Sequence, residues 1–233
     1  MSRDPLTPDV LTVGIDASPP APLHMGEPDT PGFSGFEVDL MAAVAANLGL
    51  ALRHRSVLWR DMLQELENGR LDVVCTAATV SADRAERVAF SAPYLDIQLA
   101  VVARPDAPIH SIDDLKGAHV GVRVATTAAE YVWRYARPRS ITLYDMNEDV
   151  YAAVARKDVD GAVDDSPIAS WFVRNRPDLA LVSLIPGTEA QYALMVARNR
   201  VALRTALDGA LSRIRQDGQY AAIHRHWFGE RSG

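Results

Sequence analysis

Short apolar runs alternate with amphipathic segments along most of this chain. The runs that have the length of buried strands are 10–15, 71–75, 97–103 and 118–124. Residues 37–48 instead place their apolar side chains at helical spacing, and Gly49 follows as a stop signal. A strand, a helix and another strand in this order predict βα units with parallel sheets, and therefore an α/β fold.

The same patterns continue to the end of the chain. Further strands are predicted at 50–57, 140–144, 159–165 and 179–184. Further helices are predicted at 61–68, 125–136, 147–157, 168–174, 201–215 and next to the C-terminus. Residues 16–36 are dense in Pro and Gly, which predicts a long loop between the first strand and the first helix.

Composition narrows the class of protein. The chain has 233 residues, 48% of them hydrophobic, which suffices for one large domain or two small ones. Its formal net charge is −6 and its charges are mixed, so no basic stripe indicates a nucleic acid or an anionic membrane as partner. The single cysteine, Cys75, excludes an internal disulfide, and its apolar strand predicts a buried, inert thiol. His224 and His226 face apart on a predicted helix, so neither a metal site nor any cofactor is predicted.

The sequence also bears on membrane and export signals. No apolar run is long enough to span a bilayer. The first ten residues are polar, contain two prolines and lack the apolar core of a secretory signal. Two interpretations are open: an export signal has been removed, or the protein stays inside the cell.

Candidate binding chemistry is densest just after the strand predicted at 71–75. Thr76 and Thr79 place hydroxyl groups past the end of this strand, at the edge of the sheet where open α/β folds bind their ligands. Ser81 is then predicted to cap a short helix. This arrangement predicts a ligand site beside that helix.

Arg84 lies in the first turn of the same short helix, where a cation does not complement the helix dipole. A carboxylate ligand is one reason for a guanidinium at this place, because the two groups can form a bidentate pair. A surface ion pair with Asp83 or Glu86 is the alternative.

This stretch resembles the segment that marks family 3 of the bacterial extracellular solute-binding proteins, the amino-acid receptors of ABC importers. The family pattern is a small or hydroxyl residue, a Thr or Ser two positions on, an Arg five further, and then FS-x-PY. Here these positions are Ala77, Thr79, Arg84 and 90–94. GFEVDL at 35–40 and the closing segment at 217–230 are similar to further family signatures, so the resemblance covers almost the whole chain.

The resemblance implies a two-lobed periplasmic-binding-protein fold of type II. Each lobe is expected to be a mostly parallel sheet flanked by helices, and two hinge strands are expected to join the lobes. The large lobe is predicted from 1–94 and 193–233, and the small lobe from 99–188. The hinges are predicted at about 95–98 and 189–192.

Two segments of the predicted small lobe also resemble the family's ligand contacts. Ala125, Thr126 and Thr127 follow a strand and open a helix, where free backbone N–H groups can bind an anion. The family usually has glycine where Ala125 stands, and a position that needs a positive φ resists alanine. Asp164 and Asp165 end the strand at 159–165, before Pro167 in the first turn of the next helix.

The resemblance assigns roles for binding a free amino acid. Arg84 would hold the ligand carboxylate from the first lobe, and the backbone N–H groups of Thr126 and Thr127 would hold it from the second. The other expected contacts are Thr79 and the carbonyl of Ala77 for the ammonium group and Asp165 for its charge. Thr79 and Thr127 as ordinary caps, and Asp165 as a cap of the helix at Pro167, are the alternatives.

The residues expected around the ligand side chain point to more than one ligand. Trp59 stands where the family has a wall against the ligand stem, although a half-buried core tryptophan is the alternative. Asp16 matches an aspartate that touches ligand side chains, or forms an Asx turn that starts the loop. Asp16 with Asp164 would favour a cationic or amide side chain. Arg123 would favour an acidic one, unless it is an exposed charge on its strand.

The leading hypothesis is a periplasmic or extracellular, monomeric binding protein that captures a polar amino acid and delivers it to the membrane subunits of an ABC permease. The chain also resembles cyclohexadienyl dehydratases around Trp59 and Arg84. Those enzymes have a glutamate as general acid three residues beyond the position of Asp165, where this chain has Ile168. A stand-alone amino-acid sensor domain is the third possibility. No catalytic residue is predicted.

Overall fold

A computed structural model describes residues 5–174 and 176–229. The chain divides into two units. The first comprises Met1–Asp96 and Gln191–Gly233, and the second comprises Ile97–Ala190. The chain therefore leaves the first unit once and returns to it once.

The sheet of the first unit has the strand order β2-β1-β3-β12-β4. Its strands are β1 (Val10–Asp16), β2 (Ala51–Val57), β3 (Val73–Val74), β4 (Val88–Phe90) and β12 (Met195–Ala197). β1 pairs in parallel with β2 and β3, whereas β12 is antiparallel to both β3 and β4. Every strand except β12 therefore runs in the same direction.

Helices cover the sheet of the first unit. They are α1 (Phe36–Leu48), α2 (Met62–Glu67), α3 (Ala82–Ala85), α7 (Val201–Gln216) and α8 (Gln219–Phe228), with a 3₁₀ turn at Trp59–Asp61. α1 packs against α7 and α8, and its Leu40, Met41 and Val44 are fully buried. Asp39 of α1 accepts a hydrogen bond of 2.8 Å from Nε1 of Trp227, which ties α1 to α8.

The second unit repeats the arrangement with the order β10-β6-β9-β7-β8. Its strands are β6 (Leu99–Ala103), β7 (His119–Arg123), β8 (Ser140–Tyr144), β9 (Gly161–Asp165) and β10 (Ala180–Leu184). Its helices are α4 (Thr127–Tyr131), which continues as a π-helical turn at Val132–Ala136, α5 (Asn147–Arg156) and α6 (Ser166–Arg174), with a 3₁₀ turn at Asp113–Leu115. β7 pairs in parallel with β8 and β9, whereas β6 is antiparallel to β9 and β10.

Each of the two sheets contains one strand that runs antiparallel to its neighbours, and this strand has the same position relative to the chain crossings in both sheets. β6 is the first strand of the second sheet after the chain leaves the first unit, and β12 is the first strand of the first sheet after the chain returns. The crossing segments β5 (Leu95–Ile97) and β11 (Ala190–Tyr192) pair with each other in a small sheet of their own. The prediction of mostly parallel sheets is confirmed, and each exception is the strand that enters from a crossing.

Some predicted elements differ in their bounds. The run at 71–75 pairs only at Val73–Val74, and β4 was not predicted at all. The run at 97–103 is interrupted at Gln98, whose backbone N–H donates to the side-chain Oγ of Ser166 (3.2 Å) while its carbonyl still accepts from the backbone N–H of Ser166 (2.8 Å). Cys75 is buried as predicted, and burial raises the pKa of its thiol well above the ordinary value, so the thiol stays protonated.

The described residues contain no helix that is both long enough and apolar enough to cross a membrane.

His54 gives the first unit a pH-dependent stability. This residue of β2 packs edge-on against Phe33, and burial, together with the charge of His24, lowers its pKa from 6.5 to about 4. The unfolded chain therefore takes up this proton more readily than the folded chain between about pH 6.5 and 4. Stability is lost as the pH falls through that window.

We predict that His54→Gln reduces the loss of unfolding free energy between pH 7 and pH 5 by about 1 kcal/mol, a value discounted for the partial exposure of the ring. Urea denaturation at both pH values measures the difference. Equal losses in the parent protein and in His54→Gln would contradict the prediction.

Candidate functional site

Arg84 is held at the carboxyl end of the parallel strands in the first unit. Ser81 caps α3 as predicted, and its hydroxyl accepts a hydrogen bond of 3.3 Å from the backbone N–H of Arg84. One guanidinium nitrogen of Arg84 donates to the carbonyl of Thr79 at 2.8 Å, and the guanidinium carbon lies 4.8 Å from the ring centroid of Trp59. The half-buried guanidinium is therefore oriented by a carbonyl and an aromatic face.

The loop between β3 and α3 is fixed by contacts on both sides. Ala77 has a positive φ of 48°, and its backbone N–H donates to Oε1 of Glu37 at 2.7 Å. Thr79 is 4% exposed and forms an isolated antiparallel bridge with Tyr192. The backbone of this loop is thus held by α1 and by the segment that returns from the second unit.

Asp16 ends β1, and Trp59 follows the end of the neighbouring strand β2. Asp16 is buried at the end of β1, where its Oδ1 accepts from the N–H of Ser18 at 3.0 Å, so the Asx turn is present. The N–H of Asp16 donates to Oγ1 of Thr76 at 3.1 Å, which joins the ends of β1 and β3. Trp59 is half-buried and packs against an apolar cluster that includes Met62, so it also contributes to the core.

In the second unit, α4 begins as predicted, but with Thr126 as its cap. Oγ1 of Thr126 accepts from the N–H of Ala129 (3.1 Å) and donates to the carbonyl of Arg123 (2.8 Å). Thr127 is the first helical residue and is half-buried. Ala125 has a φ of 58°, so the positive φ that favours glycine is adopted here by alanine.

Arg123 and Asp164 belong to one polar network of the second unit. Arg123 is 8% exposed, so the alternative of an exposed strand charge is wrong. Its Nε donates to the carbonyl of Asp145 (3.0 Å), and one of its terminal nitrogens donates to Oδ1 of Asn147 (3.2 Å). Nδ2 of Asn147 donates in turn to Oδ2 of Asp164 at 2.7 Å, so Asn147 bridges the cation and the anion.

Burial and hydrogen bonding act in opposite directions on Asp164. Burial raises the pKa of its carboxyl, while donors from Tyr151 (2.8 Å), Asn147 and the backbone of Asp165, together with the charge of Arg123, oppose the rise. The ring of Tyr151 stacks on Phe172, with 4.2 Å between the ring centroids.

Asp165 is 8% exposed and ends β9 immediately before α6, which begins at Ser166.

Within each unit the structure therefore groups some of the predicted residues. Arg84 contacts both Thr79 and Trp59 in the first unit, and Arg123 and Asp164 share Asn147 in the second. Sequence reasoning did not assign a role to the side chains of Glu37, His24, Asn147 or Tyr151. The position of Asn147 at a helix start and the family segment around Glu37 were the only signals available.

The family model for bacterial extracellular solute-binding proteins, family 3, matches residues 11–230 of the chain. The chain belongs to this family. The resemblance stated from the sequence is confirmed, and with it the description of the chain as a solute-binding protein rather than an enzyme. Ile168, at the position of the general acid of the similar dehydratases, is an apolar side chain with 3% exposure.

Individual relatives of this solute-binding protein bind different amino acids. It is 27% identical over 221 residues to the L-cystine-binding protein TcyJ of Escherichia coli, covering 94% of this chain and 82% of the relative. It is 28% identical over 207 residues to a probable histidine-binding protein of Neisseria gonorrhoeae, covering 85% of this chain and 76% of the relative. The solved structure of an ancestral arginine-binding protein bound to arginine matches with a TM-score of 0.87 and 26% identity, covering 95% of this chain and 99% of that one. The predicted type II periplasmic-binding-protein fold is confirmed.

The positive φ of Ala125 yields a prediction on stability. We expect Ala125→Gly to raise the free energy of unfolding by about 0.5–1 kcal/mol. Glycine relieves about 1–2 kcal/mol of steric cost at φ 58° and gives back about 0.4–1 kcal/mol through the greater freedom of the unfolded chain. Urea denaturation of the two proteins measures the change.

Ala152 supplies the matched control in the same unit, because it lies inside α5 with a helical backbone. Ala152→Gly should lower the free energy of unfolding by about 1 kcal/mol. Equal destabilisation by both substitutions would show that the backbone at Ala125 carries no strain.

Proposed function

We propose that this protein captures a free amino acid and delivers it to the membrane subunits of an ABC permease, acting as a monomer outside the cytoplasm. The observation that supports this function best is the orientation of Arg84, a half-buried guanidinium held by the carbonyl of Thr79 and the face of Trp59. Such a group is suited to a bidentate pair with a carboxylate. Family membership and the amino acids bound by the relatives support the same function.

The two units have complementary roles in this proposal. Arg84 binds the ligand carboxylate from the first unit, and the backbone N–H groups of Thr126 and Thr127 bind it from the second. Thr79 and the carbonyl of Ala77 accept from the ammonium group, and Asp165 neutralises its charge. Because both units contribute, the ligand stabilises a closed state.

Closure requires hinges, which we assign to 95–98 and 189–192. Both segments carry side-chain hydrogen bonds. Nε2 of Gln98 donates to Oε1 of Glu189 at 3.1 Å, and Nε2 of Gln191 donates to Oδ1 of Asp96 at 2.7 Å. These bonds keep the crossing strands together while their flanking backbone rotates.

We propose a polar side chain for the ligand. Asp16, Trp59, Arg123 and Asp164 are the residues assigned to it. Asp164 and Arg123 are bridged by Asn147, so their opposite charges are partly compensated within the second unit. This favours a hydrogen-bonding side chain over one that depends on a single strong counter-charge. Cystine, histidine, arginine and glutamine are the first ligands to test.

We predict that isothermal titration detects binding of at least one of these amino acids. Arg84→Ala should weaken that binding by about 10- to 150-fold, because a hydrogen bond to a charged group contributes about 1.5–3 kcal/mol. Arg84→Lys should bind with intermediate affinity, since lysine keeps the charge but loses the planar fork.

Arg87 provides the matched control. It follows α3 closely and is exposed, and its guanidinium pairs with Glu67 at 2.8 and 2.9 Å. Arg87→Ala should change the affinity by less than about twofold, since surface ion pairs contribute little. Absence of heat with all common amino acids and cystine would exclude the proposed function. Equal losses for Arg84→Ala and Arg87→Ala would exclude the role of Arg84.

A further inference from the structure

Glu37 is a buried carboxylate in the first turn of α1, with 2% of its surface exposed. Its Oε1 accepts two hydrogen bonds, one of 2.7 Å from the backbone N–H of Ala77 and one of 2.5 Å from the hydroxyl of Tyr94. These two donors belong to different segments, the loop after β3 and the residue that immediately precedes the crossing strand β5. One carboxylate oxygen therefore joins α1 to both.

The bond to Ala77 restrains a backbone that alanine does not readily adopt. A φ of 48° is unfavourable for an alanine relative to its ordinary conformations, so the loop needs an external contact to keep it. The N–H bond to Glu37 fixes the peptide that precedes Ala77. Two residues later Thr79 is fixed by its bridge to Tyr192. The loop is thus held at both ends.

The second oxygen of Glu37 faces the loop that follows β1. Nδ1 of His24 lies 3.9 Å from Oε2 of Glu37, and Nε2 of His24 contacts the carbonyl of Asp16 at 2.9 Å. The N–H of Asp16 donates to Thr76. The loop after β3 thus bonds to Glu37 directly. His24 only packs near its second oxygen, because neither Nδ1 of His24 nor Oε2 of Glu37 has a hydrogen-bond partner among the described residues.

We propose that Glu37 is a positioning residue for amino-acid binding. It touches no ligand in this proposal but fixes the loop of residues 76–79 in the geometry that receives the ligand. The inference rests on the proposed function, because it takes Ala77 and Thr79 as ligand contacts.

The chemistry of the position supports a role beyond packing. Burial of a carboxylate is costly unless several donors satisfy it, and an apolar side chain would fill the same space with less cost. Asp39, two residues on in α1, shows what a purely structural acid does in this helix. It is half-buried and accepts a single bond from Trp227, far along the chain from the loop of residues 76–79.

Three substitutions separate positioning from stability. Glu37→Asp keeps the charge but is one methylene too short to reach Ala77, and it should weaken binding of the amino acid identified by titration at least 10-fold. Glu37→Gln keeps the length and an acceptor oxygen for both donors, and it should bind within about threefold of the parent protein. Asp39→Asn should lower the melting temperature yet leave the affinity within about twofold. Affinities are measured well below the melting temperature of each variant.

A second measurement needs no ligand. Amide hydrogen exchange of the folded variants should be at least 10-fold faster at residues 76–79 in Glu37→Asp than in the parent protein, with strand His119–Arg123 of the second unit unchanged in both. Unchanged exchange at residues 76–79 would overturn the inference even if no amino acid binds. Loss of affinity in Asp39→Asn equal to that in Glu37→Asp would overturn it too, since the effect would then follow general destabilisation. Failure of the parent protein to bind any amino acid would exclude the proposed function instead.

Discussion

The position of every proposed ligand contact depends on the parallel pairing of the central strands in each sheet. Parallel strands end at the same edge, and the loops that follow them meet there. Asp16 ends β1, Trp59 follows β2, and Arg84 lies beyond β3. Arg123 and Asp165 end β7 and β9 in the second unit. Three loops of the first sheet and two of the second thus place charged and aromatic groups at the carboxyl edge of their own sheet.

Each sheet also has a buried carboxylate behind its loops. Glu37 accepts from Tyr94 and from a backbone N–H, and Asp164 accepts from Tyr151, Asn147 and a backbone N–H. The donors stabilise these buried anions, although Oε2 of Glu37 has no hydrogen-bond partner among the described residues. Loss of a further donor would leave another costly unsatisfied group. The two networks therefore make the adjoining backbone rigid, and they do so independently in the two units.

Sequence patterns predicted much of this arrangement, because apolar runs and helix caps are local signals. The cap at Ser81, the start of α4 and the sheet class followed from the residues themselves. The length of β3 did not, since its pairing depends on two strands that are distant in the chain, β1 and β12. The hydrogen-bonded bridge from Arg123 through Asn147 to Asp164 could not be predicted from the sequence either, because it depends on which face of α5 is buried. The direct contacts of Arg84 with Thr79 and Trp59 required the same three-dimensional information.

The pairing of β5 with β11 brings together the two points at which the second unit is inserted into the first. Paired strands lie about 4.8 Å apart, so the inserted segment has adjacent ends. A segment with adjacent ends can be exchanged as a cassette, because a replacement of different length or origin can rejoin the host chain at the same two points. Recombination at these strands could thus replace Arg123, Asp164 and Asp165 together while leaving Arg84 and Glu37 in their original surroundings.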